Sequence, residues 1–242
     1  MVCMNTKYTS TVILVPGFWL GGWAWDEVAE HLRGDGLSPV PVTLPGLDSP
    51  TARRDGIRLA DHVDAVLGAV RDARAPVVLV AHSGAGMLAS AVLDQAPDMV
   101  ARVVYVDSGP VADGTIARPD LDPGAVEVPL PGWDELEAGG ASLAGLSDDR
   151  LRRFRALAVP HPAGPLREPV RLRDPRRNDV PTTVVCCSMP SGAIRGMAVD
   201  GGMFAPLADL TDVCYVDLPT GHWPMWSAPD ALAKTIAKAA QL

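Results

Sequence analysis

The stretch Val77-Val78-Leu79-Val80-Ala81-His82-Ser83-Gly84-Ala85-Gly86 decides the fold. Pro76 introduces a continuous apolar run, which is typical of a strand buried on both faces of a sheet. Small residues and glycines follow at once, and the apolar spacing from Gly84 to Gln95 is that of a helix. The sequence therefore predicts that Ser83 stands on a sharp turn between a buried strand and a helix.

Short apolar runs alternate with helical patterns on both sides of this turn. Helical spacing occurs at 25–32, 59–70 and 84–95, and a last helix follows Ser227, its predicted N-cap, with Pro229 in its first turn. The predicted strands are 11–15, 40–42, 77–80, 102–106, 182–187 and 213–216. Such alternation predicts an α/β fold: a mostly parallel sheet of about six strands, flanked by helices.

The alternation breaks down between residues 111 and 178. This segment is rich in Pro, Gly and Arg and has one clear helix, which begins near Ser147. A connection of this length without a strand pattern is typical of a lid. We therefore predict a core formed by 1–110 and 179–242, with 111–178 inserted into it as a small cap.

The composition excludes several classes of protein. The chain has 242 residues, 48% of them hydrophobic, and a formal net charge of −8, which disfavours nucleic acid as a partner. Its apolar runs are too short to span a bilayer, and residues 1–10 lack the pattern of an export signal. We expect no nucleic-acid partner and no membrane partner.

The four cysteines do not indicate a disulfide framework or a zinc site. Cys186 and Cys187 are neighbours on a predicted strand, where alternation sends them to opposite faces. No pair has the close Cys/His spacing of a zinc site. We predict reduced thiols in a cytoplasmic protein that binds no metal.

Ser83 has the surroundings of a nucleophile. A serine held on a strand-to-helix turn needs small residues two positions before and after it, and Ala81 and Ala85 meet this need. The amides at the start of the following helix favour negative charge beside the serine. The same short motif also fits a glycine-rich turn without chemistry.

A histidine at the far end of the chain favours the catalytic interpretation. Gly221-His222-Trp223 lies between the last predicted strand and the last helix, so the order is serine and then histidine. We predict that His222 is the general base of Ser83. His62, beside Asp61 and Asp64 on a helical segment, is interpreted as solvated.

The residues 12–19, Val-Ile-Leu-Val-Pro-Gly-Phe-Trp, followed by Gly22-Trp23, complete a resemblance that spans nearly the whole chain. The chain resembles the α/β-hydrolases, and especially the compact esterases, lactonases and hydroxynitrile lyases, whose sheets lack a long N-terminal hairpin. That branch commonly has His-Gly where this chain has Pro16-Gly17. The resemblance implies an oxyanion hole formed by the backbone N–H groups of Phe18 and Gly84.

The acid that usually completes such a site is missing from its expected place. Relatives carry it in the loop after the penultimate strand, which here reads Ser188-Met189-Pro190-Ser191. Asp107 ends the strand after the Ser83 helix, where pancreatic-type lipases carry a relocated acid, whereas Asp200 lies further along the chain. An Asp at a strand end also commonly caps a turn, so a catalytic role for Asp107, a turn-capping role and a Ser83–His222 dyad all stay open.

The sequence predicts a serine hydrolase that cleaves an ester, lactone or thioester of a small to medium apolar organic molecule through an acyl-enzyme. It implies no cofactor and leaves a homodimer open. The residues predicted to contact substrate are Trp19, Trp133, Phe154, His161, Met203, Trp223 and Met225. Two alternatives stay open: a lyase, cyclase or dehydratase that uses Ser83 and His222 as acid and base, and an inactive ligand-binding protein.

Overall fold

The structure is a computed structural model that describes residues 10–73 and 75–241. Residues 1–9 lie outside the described residues. They include Cys3 and all but the last residue of the segment 1–10, for which no export signal was predicted. Within the described ranges, none of the helices combines the length and the apolar character needed to cross a bilayer.

Eight strands and nine α-helices form the described chain. The strands are β1 (Thr11–Val15), β2 (Ser38–Pro41), β3 (Val77–His82), β4 (Val100–Val106), β5 (Glu127–Val128), β6 (His161–Pro162), β7 (Thr182–Cys186) and β8 (Val213–Asp217). The helices are α1 (Asp26–Gly34), α2 (Leu59–Asp72), α3 (Gly86–Gln95), α4 (Trp133–Ala138), α5 (Asp148–Leu157), α6 (Ala163–Arg167), α7 (Ser191–Val199), α8 (Pro224–Ser227) and α9 (Pro229–Ala239).

Six of the strands form one sheet in the order β2-β1-β3-β4-β7-β8, and every neighbouring pair is parallel. The predicted fold class, a parallel sheet of about six strands flanked by helices, is confirmed. β3 lies near the middle of the sheet, so the turn that follows it opens at the centre of the carboxyl edge. In open α/β sheets this edge is where ligands bind.

Two hydrophobic layers cover the sheet, and β3 contributes to both. Val77 and Leu79 pack in the layer that contains α2 and α3, whereas Val78 and Val80 pack in the layer that contains α1 and α9. Successive side chains of a strand point to opposite faces. Both faces of β3 are covered by helices, so every position of its run 77–80 needs an apolar side chain.

The segment between β4 and β7 is more structured than the sequence indicated. The predicted helix is present as α5, and the Ser147 hydroxyl at its N-cap accepts a hydrogen bond from the Arg150 N–H at 3.3 Å. The segment also contains α4, α6 and the antiparallel pair β5–β6, which the sequence pattern did not predict. These elements have two to six residues, too few for hydrophobic periodicity to be recognised.

Two local predictions were wrong. Ser227 is the last residue of α8, its hydroxyl donates to the Trp223 carbonyl at 3.3 Å, and Ala228 is the N-cap of α9. His62 is buried rather than solvated, because it lies on the inner face of α2 with Leu59 and Val63, and its Nε2–H donates to the Pro45 carbonyl at 3.0 Å. The neighbouring acids, Asp61 and Asp64, face outward and obscured this pattern.

Candidate active site

Ser83 follows β3 directly and has a strained backbone conformation. Its φ is +53°, in the left-handed region that residues other than glycine rarely adopt. A short 3-10 helix, Ser83–Ala85, connects it to α3. Such strain persists where the surrounding structure holds it, and it is concentrated at functional sites.

Close packing around the turn explains its small residues. An ideal Cβ on Gly84 would lie 2.3 Å from the Phe18 ring, and one on Gly86 would lie 2.4 Å from the carbonyl oxygen of Gly109. Either contact is far too short for a real side chain. Gly84 and Gly86 are therefore constrained by packing as well, in addition to the small residues Ala81 and Ala85 that the motif predicts.

His222 is delivered to Ser83 by the loop between β8 and α8. Its Nε2 lies 2.8 Å from Ser83 Oγ, and its Nδ1 lies 2.5 Å from Asp107 Oδ2. An ionised carboxylate only accepts hydrogen bonds, so Nδ1–H donates to Asp107, and Nε2 accepts a hydrogen bond from the Ser83 hydroxyl. The geometry therefore brings together the three predicted residues Ser83, His222 and Asp107.

Asp107 is held at the end of β4 by several donors. Its carboxylate accepts from the Ser188 hydroxyl at 2.5 Å, the Ser188 N–H at 2.8 Å and the Cys187 N–H at 3.2 Å. Burial raises its pKa, but the hydrogen bond and charge of His222, together with the Ser188 bonds, outweigh burial and lower the pKa to about 2. Asp107 is therefore ionised at neutral pH.

Ser188 stands in the loop where the resemblance implies an acid, and its hydroxyl donates instead to the carboxylate of Asp107, at the end of β4. The contact between Ser188 and Asp107 was not predicted from the sequence. The absence of a carboxylate from residues 188–191 was the feature that could have indicated it. Asp200, the alternative acid, is an exposed residue at the C-terminal end of α7. Of the two candidates, the structure places Asp107 against His222.

His82, which precedes Ser83, is a second residue that sequence reasoning missed. It is buried, and its Nε2–H donates to the backbone carbonyl of His222 at 2.7 Å. Burial, followed by the nearby His222, lowers the pKa of His82 to about 3, so its ring is neutral. His82 therefore supports the backbone of the histidine that contacts Ser83.

The two predicted oxyanion donors flank Ser83. Phe18 lies in the turn after β1, and its N–H has no hydrogen-bond acceptor among residues 10–73 and 75–241. Gly84 lies in the first turn of the 3-10 helix, where an N–H has no partner within the helix. The Phe18 ring lies against Gly84, so the two segments are in contact.

Ser83 and His222 open onto a cleft of about 1770 Å³. Three of the predicted substrate contacts, Trp19, Met203 and Trp223, line it. Much of the remaining lining is apolar and includes Phe18, Met87, Leu136, Met189, Ile194 and Phe204.

The other predicted substrate contacts do not line this cleft. Phe154 is buried between Trp133, Trp223 and Trp226, with ring centroids 4.8 to 5.4 Å apart. The charged helix α5 buries few apolar side chains, and Phe154 is used for packing. The ring of Trp133 is tilted by 42° against that of Phe154, and the Arg155 guanidinium lies over the Trp133 ring, 4.0 Å from its centroid.

His161 and Met225 are likewise buried away from the cleft. Met225 is fully buried among the residues that cover α9. The His161 ring packs against Phe18 and His62, with ring centroids 4.9 and 5.5 Å away. His161 belongs to the predicted cap and Met225 to α8, and neither position along the chain indicated that the side chain is buried away from the cleft.

Comparison with known proteins identifies relatives at low identity. The carbendazim hydrolyzing esterase of Nocardioides sp. (strain SG-4G) is 31% identical over 98 residues, which are 40% of this chain and 40% of the esterase. The match thus spans about two fifths of that esterase's length. Methylesterase 7 of Arabidopsis thaliana is 25% identical over an alignment of 267 residues that covers 98% of each chain.

A solved structure with the same fold covers nearly the whole chain. It is an extracellular alpha/beta-hydrolase from a Paenibacillus species, with a TM-score of 0.74 and 20% identity, and the match covers 95% of this chain and 98% of that one. A sequence profile described as the alpha/beta hydrolase family matches residues 12–235. The resemblance predicted from the sequence is confirmed, and the chain belongs to the alpha/beta hydrolase family.

Proposed function

We propose that this protein is a serine hydrolase that cleaves an ester, lactone or thioester through an acyl-enzyme. The observation that carries the proposal is the chain of hydrogen bonds from Ser83 Oγ to His222 Nε2, 2.8 Å, and from His222 Nδ1 to Asp107 Oδ2, 2.5 Å. Nucleophile, base and orienting acid in this geometry have the arrangement that acyl transfer requires.

In the first half-reaction, His222 takes the hydroxyl proton of Ser83 while Oγ attacks the carbonyl carbon of the substrate. The backbone N–H groups of Phe18 and Gly84 stabilise the resulting oxyanion. The tetrahedral intermediate then expels the alcohol or thiol, which receives the proton from His222. The acyl group stays on Ser83 Oγ, and a water molecule activated by His222 releases it as the acid.

Asp107 holds the His222 ring in the tautomer that this sequence of steps needs. Its ionised carboxylate also stabilises the imidazolium that forms when His222 is protonated. The donors from Ser188 and Cys187 keep the carboxylate fixed.

The lining of the cleft favours an uncharged substrate with an apolar portion. Trp19, Met203 and Trp223 supply part of its apolar surface. Besides Asp107, five carboxylates and only two arginines line it: Asp113, Asp120, Glu135, Glu137, Asp209, Arg118 and Arg177. This excess of negative charge disfavours anionic substrates. The esterases among the relatives support the ester class.

Residues 111–178 are proposed to act as the cap of this site. The segment from Val111 to Arg118, together with Val128, Leu136 and Leu166, contributes to the lining of the cleft. The cleft is larger than the ~300–1,000 Å³ of most small-molecule pockets, which leaves room for a medium-sized substrate. A cytoplasmic location stays a prediction from the sequence.

The missing acid and the Pro16 substitution were the two reasons that favoured a lyase, cyclase or dehydratase, and a carboxylate hydrogen-bonded to His222 removes the first of them. An acyl-enzyme would distinguish the two reactions, because hydrolysis passes through a covalent ester on Ser83 and acid/base chemistry does not. An inactive binding protein would turn over no ester at all.

The test is intact mass after treatment with a serine-reactive fluorophosphonate, applied to the parent protein, Ser83→Ala and His222→Ala. We expect a single adduct on the parent, none on Ser83→Ala and far slower labelling of His222→Ala. Hydrolysis of p-nitrophenyl esters should follow the same order. A folded parent that forms no adduct and hydrolyses no ester, lactone or thioester would refute the proposal.

A further inference from the structure

Trp19 has a backbone conformation that its neighbours must hold in place. Its φ is +65°, although it carries a large side chain and follows the proposed oxyanion donor Phe18 directly. Bulky residues rarely adopt the left-handed region unless the surrounding structure imposes it. The contacts that hold Trp19 therefore bear on the geometry of the oxyanion hole.

These contacts come from the small sheet formed by β5 and β6 and from Val159, just before β6. The Trp19 N–H donates to His161 Nδ1 at 3.4 Å, and the Trp19 carbonyl accepts from the Val159 N–H at 3.1 Å. The indole Nε1–H donates to the Val128 carbonyl at 3.1 Å. Three polar groups of one residue are thus bound by the segment 111–178: one by Val128 of β5, one by His161 of β6 and one by Val159, two residues before β6.

His161 is suited to be a fixed acceptor. It is 2% exposed, and an Nδ1 that accepts a hydrogen bond requires a neutral ring with its proton on Nε2. Burial, with the nearby His62 and Arg54, holds the pKa of His161 well below its ordinary value. Arg54 also fixes the neighbouring backbone, because its Nε–H donates to the Pro160 carbonyl at 2.7 Å.

The same histidine supports Phe18. The Phe18 ring lies between Gly84 and His161, and the two ring centroids of Phe18 and His161 are 4.9 Å apart. Pro16, which precedes this turn, has no side-chain hydrogen-bonding group that could fix the conformation of Phe18 and Trp19. The hydrogen bonds that fix the turn therefore come from residues 111–178.

We propose that His161 is a positioning residue that holds the Phe18–Trp19 turn so that the Phe18 N–H faces the oxyanion. The inference rests on the proposed acyl-transfer function and extends it. Fixing the peptide plane between Phe18 and Trp19 restricts the plane before it, which carries the Phe18 N–H. The inserted segment thus contributes to transition-state stabilisation as well as to the lining of the cleft.

The test compares His161→Asn with His161→Leu. Asn places its side-chain oxygen near the position of Nδ1 and keeps an acceptor for the Trp19 N–H, whereas Leu removes it. The matched control is His62→Leu, which removes a second buried imidazole from the same cluster but no bond to Trp19. Thermal melting, kcat and KM for a p-nitrophenyl ester, and the rate of fluorophosphonate labelling are measured for each.

We expect His161→Leu to lower kcat by about 10- to 100-fold with KM within about threefold, because an oxyanion donor acts on the transition state. Fluorophosphonate labelling should slow in parallel. His161→Asn should recover most of kcat, and His62→Leu should change kcat by less than about threefold. This pattern separates positioning from a general loss of packing.

Three results would overturn the inference: full kcat in His161→Leu, equal losses in the Asn and Leu variants, or an equal loss in His62→Leu. If His161→Leu does not fold, His161→Gln replaces it, because a Gln amide reaches the position of Nε2 and leaves that of Nδ1 empty. Equal kcat in the Asn and Gln variants would then overturn the inference. A parent protein that is neither labelled nor active would instead refute the proposed function itself.

Discussion

At the scale of single residues, the placement of the acid is the main departure from the expected pattern. β4 and β7 are neighbours in the sheet, with Val106 opposite Val185, so their carboxyl ends present residues to the same space. A carboxylate at the end of β4 thus reaches the histidine in the loop after β8. This explains why Asp107 contacts His222 while Ser188, on the neighbouring loop, contacts Asp107.

Asp107→Asn should reduce kcat by about 10³- to 10⁴-fold with little change in KM. The amide can donate as well as accept, so it no longer imposes the tautomer in which Nδ1 of His222 carries the proton. Steady-state kinetics on an ester hydrolysed by the parent provide the measurement, with circular dichroism to confirm folding.

Asp200→Asn is the matched control, since Asp200 is the acid that the sequence left as the alternative. It is exposed at the end of α7, and we expect kcat to stay within about twofold of the parent. Normal activity in Asp107→Asn, or a large loss in Asp200→Asn alone, would mean that the proposed acid is wrong.

At the scale of elements, the turn from β3 to α3 depends on close contact with the loop after β4. The Ser108 hydroxyl donates to the Ser83 carbonyl at 2.6 Å, and the Gly109 backbone lies against Gly86. Because Asp107 starts the same loop, this contact positions the acid relative to the serine. The strands β3 and β4, the helix α3 and the loop after β4 thus pack together as one unit.

Gly86→Ala should destabilise the protein by about 1–3 kcal/mol, because the added Cβ would lie 2.4 Å from the Gly109 carbonyl oxygen and displace the loop. Urea unfolding gives the free energy of unfolding, and activity should fall as well. Gly68→Ala in α2 is the control: its Cβ would have no neighbour within 4 Å, so it should stabilise by about 0.5–1 kcal/mol. Equal stability of the two variants would contradict the packing argument.

At the scale of the whole molecule, three of the five histidines are buried without charge. His62, His82 and His161 are each at most 2% exposed, and burial lowers the pKa of all three below 6.5, that of His82 to about 3. Unfolding exposes these rings, which then bind protons at any pH below about 6.5. The unfolded state gains protons that the folded state does not, so acid favours unfolding.

The free energy of unfolding should therefore be greatest above pH 6.5 and fall as the pH decreases from 6.5 toward 5. His82 and His161, whose pKa values lie far below 6.5, should each contribute a slope that approaches about 1.4 kcal/mol per pH unit, and the lowered pKa of His62 acts in the same direction. The lowered pKa of Asp107 acts in the same direction but only below its ordinary value of 3.8. Urea unfolding at a series of pH values measures the slope.

His62→Gln tests the origin of this dependence. A Gln amide can keep the donor to the Pro45 carbonyl without taking up a proton in the unfolded state. Because the pKa of His62 is lowered in the folded protein, we expect the slope between pH 6.5 and 5 to become shallower in this variant. A parent protein with constant stability over this range would contradict the assignment of neutral buried rings.

The sequence by itself determined the types of the main elements and the parallel α/β class, because these depend on local periodicity. It also placed Ser83 between a buried strand and a helix, and His222 after the last strand, because these placements depend on order along the chain. Only the tertiary structure decided that Asp107 contacts His222 across 115 positions, that His62 is buried and that His161 braces Trp19 from 142 positions away. These contacts depend on which strands are neighbours and on how short segments of 111–178 fold back onto the core. Hydrophobic periodicity reports which face of an element is covered, but not which residue covers it.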